Sequence, residues 1–85
     1  GRGAQMSRMR VKITFPKEKV TEPLIYMVGQ NFQVVTNIRR ANIDEYAGWV
    51  ILEIDGQVTE IERAIDWLQK KGVRVDPVEG TVVEG

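Results

Sequence analysis

Cysteine and histidine are both absent from these 85 residues. Without cysteine there can be no disulfide, thiolate nucleophile, iron–sulfur ligation or thiolate zinc site. Without histidine the chain lacks the usual proton carrier near neutral pH and the commonest metal ligand. An excess of either charge is missing too: twelve Lys and Arg balance twelve Asp and Glu, for a net charge of zero. A balanced chain has no long-range attraction for nucleic acid or an anionic membrane. No apolar run approaches the ~18 residues that suggest a membrane span, and no charged-then-apolar leader precedes the periodic segments. These absences point to a cytoplasmic, non-catalytic module with no cofactor, no metal, no nucleic-acid partner and no direct insertion into a membrane.

What is present is strong periodicity. Arg10 to Phe15 alternates, with Val11, Ile13 and Phe15 on one side, and Pro16 stops it, which predicts a half-buried strand. Thr21 is the expected N-cap of a first helix, with Glu22 in its first turn and Pro23 beside it. Leu24, Met27 and Val28 then recur at helical spacing up to about Asn31. Phe32 to Ile43 reads as a second strand, in which strict alternation would bury Arg40 and Asn42. A bulge at Arg39–Arg40 is therefore expected, returning Ala41 and Ile43 to the core side. Asp44 to Gly48 reads as a turn with Gly48 available for positive φ, and Trp49 to Asp55 as a third strand. Thr59 and Glu62 predict a capping box, followed by an apolar stripe of Ile61, Ala64, Ile65 and Leu68. Lys70, Lys71 and Gly72 suit a helix C-terminus, and Val73 to Asp76 a fourth strand closed by Pro77. Residues 1–9 are expected to form a disordered arm outside the fold, 10–78 the domain, and 79–85 a tail.

Two strand–helix–strand units of this length predict an α+β, ferredoxin-like βαββαβ sandwich. It has a four-stranded antiparallel sheet of order 4-1-3-2 with both helices on one face. The expected core is Val11, Ile13, Phe15, Leu24, Met27, Val28, Val34, Ile38, Val50, Leu52, Ile54, Ile61, Ala64, Ile65, Leu68, Val73 and Val75. The other sheet face stays uncovered, and Arg10, Lys12, Val35, Asn37, Trp49, Ile51, Glu53 and Arg74 are expected on it. Val35, Trp49 and Ile51 would form an apolar patch there, with Lys12 beside them, and such a patch marks an interface. Long basic stems covering the patch are the alternative.

Constellations for chemistry are weak. Asp44 with Glu45 and Glu60 with Glu62 pair carboxylates, but on a turn and a helix surface, where neither is desolvated as acid catalysis requires. Arg39 and Arg40 are adjacent on a strand and so point oppositely, which forms no anion fork. The first strand offers Arg10, Lys12 and Thr14 where an RNA-recognition sheet would stack bases on aromatics. Trp67 lies off the stripe beside Ala64, at the expected margin of helix and sheet.

Val34-Val35-Thr36-Asn37-Ile38-Arg39, Ala41-Asn42-Ile43-Asp44, Gly48, Val50 to Gly56 and Lys71-Gly72-Val73 together resemble the NIL domain. That family is named for an Asn-Ile-Leu run in its second strand and is similar to the ACT amino-acid-sensing domains. It is found at the C-terminus of methionine-importer ATPases and in some proteins beside a ferredoxin module. The resemblance covers roughly residues 10–78. It departs from the family run at Arg39, which stands where Leu is usual and bears on methionine specificity.

The resemblance implies a regulatory module that works as a homodimer, holds a small amino-acid ligand near the shared interface, and answers to a transporter or ferredoxin partner. Asn37, Ile38, Arg39 and Asn42 are the candidate ligand-binding residues, and Val35, Trp49, Ile51 and Lys12 the candidate interface. The alternative is an interaction adaptor for a transport or redox partner with no small ligand.

Overall fold

Alternation along the first strand builds the centre of the sheet. In the computed structural model, which describes residues 6–19, 23–44, 46–78 and 83–84, β1 (Met6–Phe15) pairs antiparallel with β3 (Gly48–Gln57) along its whole length. Its other edge takes β4 (Arg74–Pro77) and a short β5 (Val83–Glu84), both antiparallel. β2 (Val34–Ile43) pairs with β3 and forms the free edge, giving the order β2-β3-β1-β4. This is the expected ferredoxin-like topology, read from the opposite edge.

The two helices, α1 (Leu24–Asn31) and α2 (Val58–Lys70), pack on one face. Val11, Ile13, Val50, Leu52 and Ile54 of the two inner strands meet Leu24, Val28, Ile61, Ala64 and Leu68 of the helices, each at most 2% exposed. Phe15, Val34 and Val73 complete the buried set, with Met27, Ile65, Trp67 and Val75 partly buried around it. Ile38 was expected in this core but is 55% exposed. It does lie on the helix side of the sheet, opposite Leu52, but it borders an open hollow at the first turn of α1.

The sheet extends further than the alternation suggested. Met6 to Met9, expected in a disordered arm, pair with Gln57, Gly56, Asp55 and Ile54. Val83 and Glu84, expected in a tail, pair with Arg8 and Ser7. The bulge is where it was expected: Ile38 faces Leu52 and Arg40 faces Ile51, so Arg39 is the extra residue. Ala41 and Ile43 accordingly return to the helix side, opposite Val50 and Gly48. Both remain exposed.

Helix ends differ in detail. The capping box is not formed: α2 starts at Val58, its N-cap is Gln57, and no side chain caps it. β3 thus runs into α2 without a connecting loop. Glu60 instead accepts the backbone N–H of Gln33 at 2.9 Å and pairs with Arg63. The expected N-cap Thr21 and Glu22 lie outside the described residues, and Pro23 occupies the N-cap position of α1. At the other end of α2, Gly72 has φ +97°. Its N–H bonds the Gln69 carbonyl, and the Val73 N–H reaches back to Leu68. That is a Schellman closure, sealed by the buried Leu68 and Val73 side chains.

Gly48, by contrast, is not at positive φ. It lies in β3, where an added Cβ would stand 2.8 Å from Ile43 Cγ1, so close strand approach is what it permits. The turn before it is built by Asp44, whose Oδ1 accepts the N–H groups of Tyr46 and Ala47.

Candidate functional site

Pairing register decides what the uncovered sheet face presents, because partners across a strand pair point to the same side. Three rows cross it: Asn37, Glu53 and Arg10; then Arg40, Ile51, Lys12 and Asp76; then Asn42, Trp49, Thr14 and Arg74. Val35 lies at the end of the face, opposite Asp55 and 68% exposed.

Trp49 and Ile51 are half-buried and Lys12 is exposed, its Nζ standing 5.3 Å from the centre of the indole. The four expected interface residues therefore share one face. The apolar patch is narrower than the alternation suggested, since basic stems border it on both sides. Glu53 lies under this border, 5% exposed, accepting a hydrogen bond from Arg10 at 2.8 Å with Arg8 at 3.7 Å. The Arg10 bond, helped by the charges of Arg8 and Arg39, holds the Glu53 carboxyl below the ordinary glutamate range against the opposing effect of desolvation. Arg8 itself is occupied by Asp55 at 2.8 Å, and Arg74 by Asp76 at 2.9 Å.

The four expected ligand-binding residues are not brought to one place. Asn37 and Asn42 lie on the uncovered face, on the rows of Glu53 and Trp49, and both are exposed. Ile38 lies on the helix side. There it lines a second, apolar hollow of about 180 Å³ with Leu24, Tyr26, Ala41 and Ile43. Arg39 sits at the bulge. With Arg10, Arg40, Ile51 and Val78 it lines a third feature, a basic hollow of about 360 Å³.

This last arrangement corrects the expectation that Arg39 and Arg40 diverge. A regular strand would send them to opposite faces, but the bulge brings both side chains to one hollow. The sequence signal for it is the bulge that Arg40 and Asn42 require.

The remaining candidates behave as solvated structure. Glu60 is engaged by Gln33 and Arg63, and its carboxyl is held below the ordinary range by those two contacts. Glu45 lies outside the described residues. Trp67 packs edge-to-face on Phe32 at 6.0 Å, at the margin of α2. Among the described residues no three acidic or other metal-ligating side chains gather into a possible metal site. No helix among them is long and apolar enough to cross a membrane.

Known proteins share this architecture. The chain is 30% identical over 76 residues to the methionine import ATP-binding protein MetN of Helicobacter pylori strain J99, covering 85% of this chain and 23% of that protein. It is 33% identical over 70 residues to MetN 1 of Bacillus cereus strain ATCC 10987, covering 78% and 20% respectively. The chain thus spans about a fifth of the length of the curated relatives it matches. Among solved structures, the C-terminal domain of an ABC transporter ATP-binding protein from Enterococcus faecalis superposes with a TM-score of 0.76 at 26% identity. That match covers 85% of this chain and 84% of the other. The designed protein Foldit4, at 14% identity and TM-score 0.55, shares the fold alone. The profile of the NIL domain matches residues 9–77, from Met9 within β1 through the last residue of β4. On that match the chain belongs to the NIL domain family.

Proposed function

We propose that this domain is a non-catalytic regulatory module that senses an amino acid or similar small ligand at or near a homodimer interface formed by its uncovered sheet face. The observation that carries this reading is the placement of Trp49 and Ile51, half-buried on an inner strand of the uncovered face, with Val35 exposed farther along that face beyond the row of Glu53. Apolar and aromatic surface left on a sheet face is what a partner surface covers. The relatives are named as methionine import ATP-binding proteins, which makes a methionine-like ligand the first to test. A transporter subunit carrying the ATPase is the corresponding larger partner. Asn37 and Asn42 supply amide donors and acceptors suited to a zwitterion at the edge of that face.

A second reading, an adaptor that dimerises without a small ligand, draws on a separate observation. The candidate ligand residues divide between the two faces of β2, with Ile38 on the helix side. A thermal-shift series with free amino acids separates the two. Saturable binding raises apparent stability by RT ln(1 + [L]/Kd), so a graded rise with methionine is expected for the sensor. No rise with any amino acid at millimolar concentration would leave only the adaptor.

A further inference from the structure

The geometry points to a binding site for a small dianion, a phosphomonoester or a dicarboxylate, in the hollow formed by Arg10, Arg39 and Arg40 over Ile51. Three arginine side chains line it, two of them brought there by the bulge, and Ile51 and Val78 supply the apolar part of the lining. Each guanidinium offers a planar fork of donors that matches the oxygens of a phosphoryl or carboxylate group.

Charge accounting across the face sets the valence of the ligand. The acids nearby are already engaged: Glu53 by Arg10, Asp55 by Arg8, and Asp76 by Arg74. Arg40 enters no hydrogen bond or ion pair among the described residues, and Arg39 acts on Glu53 only through its field. Two of the three arginines lining the hollow therefore stay unpaired, with Lys12 next to them on the row of Ile51, on a chain whose total charge is zero. Like charges held together are unfavourable, and a dianion removes that repulsion while a monoanion removes half of it. A zwitterion fits poorly. Its ammonium would face two guanidiniums, and the carboxylate that could receive it, Glu53, is only 5% exposed. The size of the hollow, about 360 Å³, suits a metabolite, and the basic residues beyond it, Arg8 and Arg74, are paired with Asp55 and Asp76.

This site shares Arg39 and Ile51 with the amino-acid and interface reading, but it is probed by different ligands, so the two can be told apart. Inorganic phosphate titrated calorimetrically into the folded chain, against sodium chloride at matched ionic strength, is expected to bind saturably at one site. Arg40→Gln and Arg39→Leu should each weaken binding by about tenfold or more, the loss expected of one charge-assisted contact. Lys70→Gln, which removes the same charge from the far end of α2, should change it less than twofold. As pH falls below neutrality inorganic phosphate becomes a monoanion while the arginines stay charged, and affinity should drop with that titration. Glycerol 2-phosphate and succinate then distinguish a phosphoryl ligand from a dicarboxylate, and binding of either one supports the site. Phosphate no better than chloride, or Lys70→Gln as damaging as Arg40→Gln, would overturn it.

Discussion

Trp49 and Leu52 lie on opposite sides of the same strand, and truncating each to alanine should damage different properties. Leu52 is fully buried between Val11 and Ile38. Leu→Ala at such a site costs about 2–5 kcal/mol, and its central place argues for the middle of that range. A domain of this size holds roughly 4–13 kcal/mol in total. The variant should therefore melt about 12–30 °C lower, taking roughly 4–8 °C per kcal/mol. Trp49 is half-buried on the uncovered face and has Lys12 over its ring. Losing half the usual Trp→Ala penalty and an exposed cation–π contact should cost about 2 kcal/mol. The larger effect should fall on association, where a central tryptophan is worth about 2 kcal/mol or more, a weakening of at least about 25-fold in the dimer Kd. Sedimentation velocity at two widely spaced protein concentrations, with urea unfolding followed by circular dichroism, reads both quantities. Trp49→Ala should become monomeric while still folded, and Leu52→Ala should keep the dimer constant in its folded fraction. A Trp49→Ala protein with unchanged self-association would remove the uncovered face from the functional argument altogether.

Acid should destabilise the domain through Glu53 and Glu60, whose folded-state pKa values lie below the ordinary one. Their contribution is complete above the unfolded value of about 4.3 and is lost as pH falls through the lower folded values. Urea midpoints measured from neutral pH downward should show this limb, and Glu53→Gln should flatten it. Gly72→Ala places a side chain at φ +97° and should cost about 1–2 kcal/mol in a thermal melt, with Gly72→Asn losing less. Deleting Arg39 keeps Ile38 opposite Leu52 and Arg40 opposite Ile51, so stability should change by less than about 1 kcal/mol. Deleting Asn37 instead turns Val34 out of the core and should unfold much of β2, which amide exchange would report.

The fold was legible because each strand alternates and α2 carries a clear apolar stripe. Even the bulge was readable, since Arg40 and Asn42 could not be buried. What escaped depends on partners remote in sequence. Met6 to Met9 have little intrinsic strand character and are held because β3 continues to Gln57 and β5 pairs with Ser7 and Arg8. Thr59 looked like a cap because nothing local says that β3 feeds α2 directly. Ile38 has the right phase for the core, but phase does not tell that a hollow beside the first turn of α1 leaves it open. At the site, the shared face of Val35, Trp49, Ile51 and Lys12 followed from period two alone. The meeting of Arg10 with Arg39 and Arg40 needed the bulge and the pairing register together.

β2 is a ten-residue strand with one side unpaired among the described residues, and an open row of amides invites other chains to add to it. Val35, Ile38 and Ile43 along it are each more than half exposed, which would make a straight version a template for fibrils. The kink at Arg39 and two successive positive charges interrupt that template in its middle. The variant lacking Arg39 should therefore be as stable as its parent and yet aggregate sooner on storage, so this residue guards solubility rather than the native state.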